Sequence, residues 1–384
     1  TWAANVDALG STTAATNIKR YEVHQLYNNS YVAVDSVTTN TVTIKKYWDG
    51  TKLVKDLVHG TAYTFKVRAV NTSDVSGGFS KTVNVTPEFK GPRWYVSTSG
   101  LSTSEGSSTA PLSHLSGAIE KAATGDTIVV LKGTHSGSSN RAIDFTGSKP
   151  LVIMGDPSYV ADSTIIDAGG KARHFLFNSG EDTTYQIIGL TLFNGSSEYG
   201  GSVRVDNNSR PRFKKVIFKG NNNSGEQWTG GGAVYIDRAS AIFRQCTFEG
   251  NVNDRTDHDQ DSRGGALYVG YHNSGQEVTK IFSCIFKNNT VLSHRWAGGG
   301  AVFSRESPIW IENSLFYNNT TKSNIDNSDT HQSSGGAIYI DGPSTRSSNE
   351  WVGTDVMLIN NTVVNNSALS ENSNARTIGG GIVL

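Results

Sequence analysis

The chain has little of what staples a small domain or anchors a protein in a bilayer. Only two of its 384 residues are cysteine, Cys246 and Cys284, too few for a disulfide-framed scaffold. No uninterrupted apolar run nears the roughly 20 residues of a membrane-spanning helix, so this segment is not expected to enter a membrane. A dominant charge is missing as well: 34 Lys and Arg balance 34 Asp and Glu, which argues against a general nucleic-acid binder or an anionic-membrane binder. No basic stretch followed by an apolar one opens the sequence, so a leader has been removed or the residues come from inside a longer chain. What is present is Gly, 41 residues of it, with much Ser, Thr and Asn, and a 36% hydrophobic content that suffices for packed cores.

Residues 1–88 read as short alternating strands, "IKRYEVHQLY", "SYVAVDSVTT", "TVTIKKYW", "TAYTFKVRAV" and "KTVNVTP", separated by Asn, Asp, Gly and Ser clusters. That spacing predicts an antiparallel sandwich. The stretch "LVHGTAYTFKVRAVNTSDVSGGFSKTVNVTP", Leu57 to Pro87, resembles the second half of a fibronectin type III domain, with Tyr63 where such domains keep a tyrosine corner. The resemblance implies that Trp2 is the core tryptophan of the second strand, so the first strand would be missing from this chain. No Arg-Gly-Asp triplet is present, and the domain is expected to be a spacer. A linker follows at residues 89–92, inside the two-proline junction "PEFKGP".

Residues 93–384 carry a repeat. After a strand and a Gly/Ser loop, Leu112, Leu115, Ile119 and Ala122 stand at helical spacing before "GDTIVVL", which predicts one amphipathic capping helix followed by strands alone. Phe218/Asn221, Phe248/Asn251, Phe286/Asn289, Phe316/Asn319 and Val363/Asn366 then recur. The small residue after each glycine pair falls at Ser202, Ala233, Ala266, Ala301 and Ala337, with Ile382 in an imperfect last copy. The steps are 31, 33, 35, 36 and 45 residues, a constant strand core with growing insertions, which predicts the coils of a β-solenoid. Five residues before each Phe lies an apolar position, at Phe213, Phe243, Ile281, Ile311 and Leu358. Five is odd, so the chain must turn between the two columns for both to face inward. All the variable length is expected between the Asn and the next glycines, which would decorate one flank. The chain stops one strand into a new coil, so the β-helix is expected to be truncated at its C-terminal end.

The opening of this region resembles that of the right-handed parallel β-helix proteins of the pectin-lyase-like group, with His135 where those usually read Tyr. The "GGA" and "FxxN" tetrads from Gly200 to Leu384 are similar to the repeats of the chlamydial polymorphic outer-membrane adhesins. The resemblances imply an all-β chain, a fibronectin-like sandwich plus a right-handed parallel β-helix, from a secreted or cell-surface bacterial protein. Its partners would be glycans or the surface of another cell, and further domains of the same longer chain.

Candidate chemistry sits in the insertions. Trp228 and Trp296 occupy one column two coils apart, about 10 Å, near the length of a disaccharide, so they form a candidate glycan platform with His294, Arg295 and His331 beside them. "DHDQDS" places carboxylates at alternate positions, as in the first part of a calcium loop; Asp254, Asp257, Asp259 and Asp261 are the candidate ligands, with Asp326 and Asp329 weaker. Position six of that loop is Ser262 and position twelve Tyr268, where Gly and Glu are expected. The pectin-lyase resemblance implies a rival function, a lyase acting on uronate-containing glycans, for which Arg255, Arg263, His258, His294, Arg295 and His331 are candidate bases or cations. No motif positions them: the paired aspartates and Gly-His-Gly of polygalacturonases are absent, and "SRPRF" only touches the pectate lyase signature. A spacer without ligand is a third reading. Cys246 and Cys284, both two residues before a Phe, are expected as a buried stack of small residues.

Overall fold

The computed structural model describes residues 17–145, 149–224, 230–256, 260–272, 275–323, 332–342, 355–370 and 376–384. The chain forms two compact units, Thr1–Lys90 and Gly91–Leu384. Trp2 lies outside the described residues.

The first unit holds an antiparallel sheet in the spatial order Ser30–Val37, Ile18–Tyr27, Tyr63–Asn71, Val83–Val85, and a hairpin of Lys46–Trp48 with Leu53–Lys55. Alternation puts Val23, Val34, Tyr63 and Phe65 on the buried face, and Tyr47, Trp48 and Leu57 close over them. The Tyr63 hydroxyl accepts the Val58 backbone N–H at 2.9 Å, the contact expected of a tyrosine corner.

The second unit is a parallel β-helix. One coil runs through five strands, Val234–Asp237, Ile242–Arg244, Thr247–Glu249, Val252–Arg255 and Ser262–Arg263, each paired in parallel with its equivalent one coil on. Stacking makes five sheets, here called first to fifth in that order, of eight, nine, eight, six and four strands among the described residues. The helix Leu115–Lys121 packs at the start, with Leu112, Leu115, Ala118 and Ala122 buried and His114 capping its N-terminus through Gly117 N. His135 is buried and bonds Leu131 O, so it does a core tyrosine's packing while satisfying one ring nitrogen.

The repeated residues are self-stacking devices. Phe218, Phe248, Phe286 and Phe316 form a ladder with ring centroids 4.6, 4.4 and 4.8 Å apart and planes within 7°. Beside it, Asn221, Asn251, Asn289, Asn319 and Asn366 each donate Nδ2 to the preceding Phe-column carbonyl. Asn Oδ1 accepts both the Nδ2 and the backbone N–H of the Asn one coil before, at 2.8–3.1 Å. Every buried amide group of the ladder is thereby paired, as burial demands. The turn required between the two apolar columns falls at Lys215, Gln245, Ser283, Asn313 and Asn360, all at φ near +50°. The "GGA" motif has an equally local cause: Gly231 sits at φ +72°, and a Cβ on Gly232 would overlap the carbonyl of Gly265 in the next coil. The third position, Ala233, is fully buried.

Two expectations need correction. Ile382 pairs with Ile338, so the small residue of the last coil is Gly381, one position earlier. Nor does all the length variation fall on one flank. The fourth-to-fifth corner varies, but so does the first-to-second, with 206–211, 238–241, 271–278, 306–308 and 342–355 between successive strand pairs. The repeat hides this because a coil's total length does not say which corner lengthened.

Candidate functional site

The fourth-to-fifth corner carries the residues singled out in the sequence, and in the described part its interior is polar and closed. Asn253 Nδ2 bonds Arg263 O, Ser262 Oγ bonds Leu292 O, and Ser293 Oγ bonds Gln260 O. Arg255 lies in the same column as Ser293 and Ser323 and is 1% exposed; burial pulls its guanidinium below the ordinary range. Arg263 is also buried and pairs with Asp261 at 3.0 Å. Neither arginine reaches solvent as a base toward a polysaccharide must. His294 and Arg295 are half-buried turn residues, with their backbone N–H groups on Arg255 O and Ser293 Oγ. That Ser293 contact is the local reason the corner is tight.

Trp296 is half-buried and stands edge-on to Phe303 and Tyr339, at 5.6 and 4.9 Å. These two rings belong to a second aromatic ladder, Tyr235, Tyr268, Phe303 and Tyr339, stacked at 4.9, 5.7 and 5.3 Å. Their strand neighbours Val234 and Ile236 face the core, so by alternation this ladder lies on the outside of the first sheet. Even so, Tyr235, Tyr268 and Phe303 are under 9% exposed, because Tyr199, Trp296 and the Arg263 guanidinium cover them. Trp296 is thus the outer layer of a satellite core. Asp254 accepts from Thr256 N and Oγ1 and so caps its own turn. No group of three metal-ligating side chains occurs among the described residues. Trp228, Asp257, His258, Asp259, Asp326, Asp329 and His331 lie outside the described residues.

Cys246 and Cys284 are free and buried. Cys246 N donates to Cys284 Sγ, Cys284 N to Ser314 Oγ and Ser314 N to Asn361 Oδ1. The stack is therefore a ladder of acceptors for backbone N–H groups, and burial raises the Cys246 thiol above its ordinary range.

The other flank, at the first-to-second corner, collects unspent charge. Asp206, Asp237 and Asp341 each stand four residues after the small residue of their coil, at the outer end of a first-sheet strand. Burial raises all three carboxyls, although Arg204 lies against Asp206 and Arg238 pairs with Asp237 at 3.1 Å. Asp237 Oδ1 is sealed from solvent with no hydrogen-bond partner. Arg173, bonded to Ser197 Oγ and Glu198 O, is pushed down to about 10 by burial and by Arg204. Ionisations displaced by burial and gathered in one place make this edge a candidate site.

Next to it the stacked corners enclose a cleft of about 570 Å³, walled by Asp182, Asn208, Arg210, Ser240, Gln276 and Glu277 among others. Gln276 bridges corners by bonding Asn208 Oδ1 and Arg238 O, and Glu277 pairs with Arg210 at 3.4 Å. A recess of about 180 Å³ shares Gly180 and Asp182 with the cleft and is lined by Glu181, Phe145, Pro150 and Tyr185. The sequence held one signal for this flank, the recurrence "VRVD", "VYID", "IYID". Glu181 has none.

No protein-family model and no curated protein matches the chain. Among solved structures it is similar to a rhamnogalacturonan lyase, at 12% identity and a TM-score of 0.29 over 71% of this chain and 87% of that one. A family 28 exopolygalacturonase of Yersinia enterocolitica matches at 10% identity and TM-score 0.21, over 90% and 84%. A pectate lyase of Pectobacterium carotovorum matches at 11% and 0.14, over 97% and 94%. The parallel β-helix assignment rests on the strand register described above.

Proposed function

We propose that this chain is part of an extracellular modular protein whose β-helix is a rigid, adhesin-type rod that binds glycans along its first-to-second flank. In this reading the antiparallel unit is a fibronectin-type-III-like spacer. The observation that carries the proposal is the charged edge of the first sheet. Asp206 and Asp237 sit one rung apart, about 4.8 Å, beside Arg173, Arg204 and Arg238, and residues that follow them in the same corners, Asn208 and Ala239, line a cleft of sugar-ring size. Hydroxyl-rich, partly anionic chains are the ligands such a mixture of carboxylates, guanidinium groups and amides recognises.

A lyase acting on uronate glycans is the second reading, favoured by the same pair. Burial raises the proton affinity of both carboxyls, the direction a general acid toward a leaving oxygen needs; in this reading one serves as that acid, the other takes the proton beside the uronate carboxylate, and the arginines neutralise that carboxylate. The test is incubation of wild type, Asp206→Asn and Arg204→Ala with uronate and neutral oligosaccharides. Retention without turnover, weakened at least tenfold in both variants, supports the binding rod. Appearance of the ultraviolet absorbance of unsaturated uronates establishes the lyase, and no retention at all sinks both.

A further inference from the structure

The outer faces of the second and third sheets carry a concentration of charge of one sign. In "RPRFKKVIFK", Arg210 to Lys219, Phe213 and Phe218 are buried, so alternation turns Arg212, Lys214 and Lys219 outward. Lys215 stands between the two strands, at the φ +54° turn. All four cations are exposed, and so is Arg244, which pairs in register with Lys214 one coil on. The acids nearby are held by other groups: Glu277 by Arg210 and Lys280, Glu249 by Lys287, and Asp182 by Thr184. Arg212, Lys214, Lys215, Lys219 and Arg244 form no ion pair with any described residue.

Two columns of these sheets behave differently. Lys219, Glu249 and Lys287 alternate in sign from coil to coil, as charges stacked about 4.8 Å apart should. Lys214 and Arg244 instead place like charges directly opposite, which opposes folding, in a chain of zero net charge. Arg244 is anchored over the Phe282 ring at 4.4 Å, a contact that leaves guanidinium N–H donors for an oxyanion. The strip begins at the wall of the cleft, where Arg210 stands. Resting on the glycan-binding reading above, we propose that it binds a sulfated polysaccharide.

The arrangement of charge selects that class. The cations spread in two directions, about 7 Å along the strand from Arg212 to Lys214 and about 4.8 Å along the axis from Lys214 to Arg244. A glycan with one carboxylate per sugar presents a single line of charge, whereas sulfate esters at several positions of each ring present charge in both. Exposed cations without a pocket recognise charge density, and a basic hexamer such as "RPRFKK" is the sequence form of such a patch. A single-stranded nucleic acid has comparable density but relies on rings for its bases to stack on. Phe282, the ring beside the strip, is already covered by Arg244 and met edge-on by Trp310.

The experiment is titration calorimetry of the whole chain with a heparin-derived octasaccharide, its desulfated and N-acetylated counterpart, a uronate octamer and a single-stranded oligonucleotide of matched charge. Wild type should bind the sulfated octasaccharide about tenfold or more tighter than the other three, and lose about tenfold between about 0.05 and 0.3 M salt. Arg212→Gln, Lys214→Gln and Lys215→Asn together should remove about tenfold or more of that affinity without changing Tm, and Arg244→Gln alone about threefold. Lys52→Gln, Lys55→Gln and Lys81→Gln, which take the same charge from exposed positions of the first unit, should change it less than about twofold. Matching losses in the two triple variants, equal affinity for the desulfated octasaccharide, or an oligonucleotide bound as tightly as the sulfated glycan each overturns the sulfate strip. Retention of uronate or neutral oligosaccharides that Asp206→Asn weakens then leaves the reading above standing; absence of affinity for every glycan, sulfated included, removes both.

Discussion

The two decorated flanks of the β-helix hang from the same strands and reach opposite conditions. At the fourth-to-fifth corner the chain folds back over the first sheet, so that Tyr235, Tyr268 and Phe303 are buried although they lie outside the coil. The first-to-second corner leaves Asp237 Oδ1 and Glu181 Oε1 unpaired and Arg238 largely in solvent around an open cleft. The difference teaches that insertion length marks where a solenoid can project, whereas whether that flank stays open depends on what the insertion folds over.

The comparison breaks most sharply at Phe303. Replacing it by Ala removes a fully buried ring from the satellite core and should cost about 3–5 kcal/mol in urea unfolding. A loss under about 1 kcal/mol would mean that this flank is not sealed.

Acid should separate the flanks by sign. His174 fills the small-residue column, fully buried, with its ring on Ser202 Oγ and Ile166 O, and burial lowers it to about 4. The unfolded chain takes up that proton near pH 6.5 and the folded chain does not, so stability falls as pH drops from about 6.5 to 4. The loss is on the order of 3 kcal/mol, seen in Tm against pH, and a His174→Gln variant should flatten that slope. Asp206 and Asp237 act oppositely: their raised carboxyls bind protons in the folded state before the unfolded one, so they oppose folding at neutral pH and stop doing so as pH falls through the folded value.

Trp296→Ala should cost about 2 kcal/mol, since the ring is half-buried, and leave glycan affinity unchanged. A large affinity loss without destabilisation would return the binding site to the fourth-to-fifth flank. The smallest stability effect belongs to Asp237→Asn, which should change it by about 1 kcal/mol or less, in the stabilising direction at neutral pH, while weakening glycan retention about tenfold. Unaltered retention would detach the charged edge from the proposed function.

The solenoid was legible because its constraints are local and repeat: Phe248 and Asn251 must meet Phe286 and Asn289 whatever else the chain does. The turn between the two apolar columns followed from spacing alone, and so did the existence of the capping helix, although Leu112 lies before it in a bridge to Val96 and Ala118 rather than Ile119 is its second buried residue. The charged edge of the first sheet was less legible. The packing of Trp296 was not legible because a sequence shows polarity of neighbours, not which sheet a loop folds over; Trp296 against Phe303 is a contact between adjacent coil segments that no column records. Asp206, Asp237 and Asp341 left a trace in their recurrence, but alternation on a strand reads the same for a solvated end as for a half-buried one.

By itself the sequence determined that like residues stack coil on coil, because an Asn at a ladder position finds its partner only in its own copy above and below. Which flank is closed and which is open was decided only by tertiary structure. A side chain's exposure depends on what other segments place over it, and the carboxylate of Glu181 acquires its unpaired oxygen from corners of neighbouring coils meeting in space.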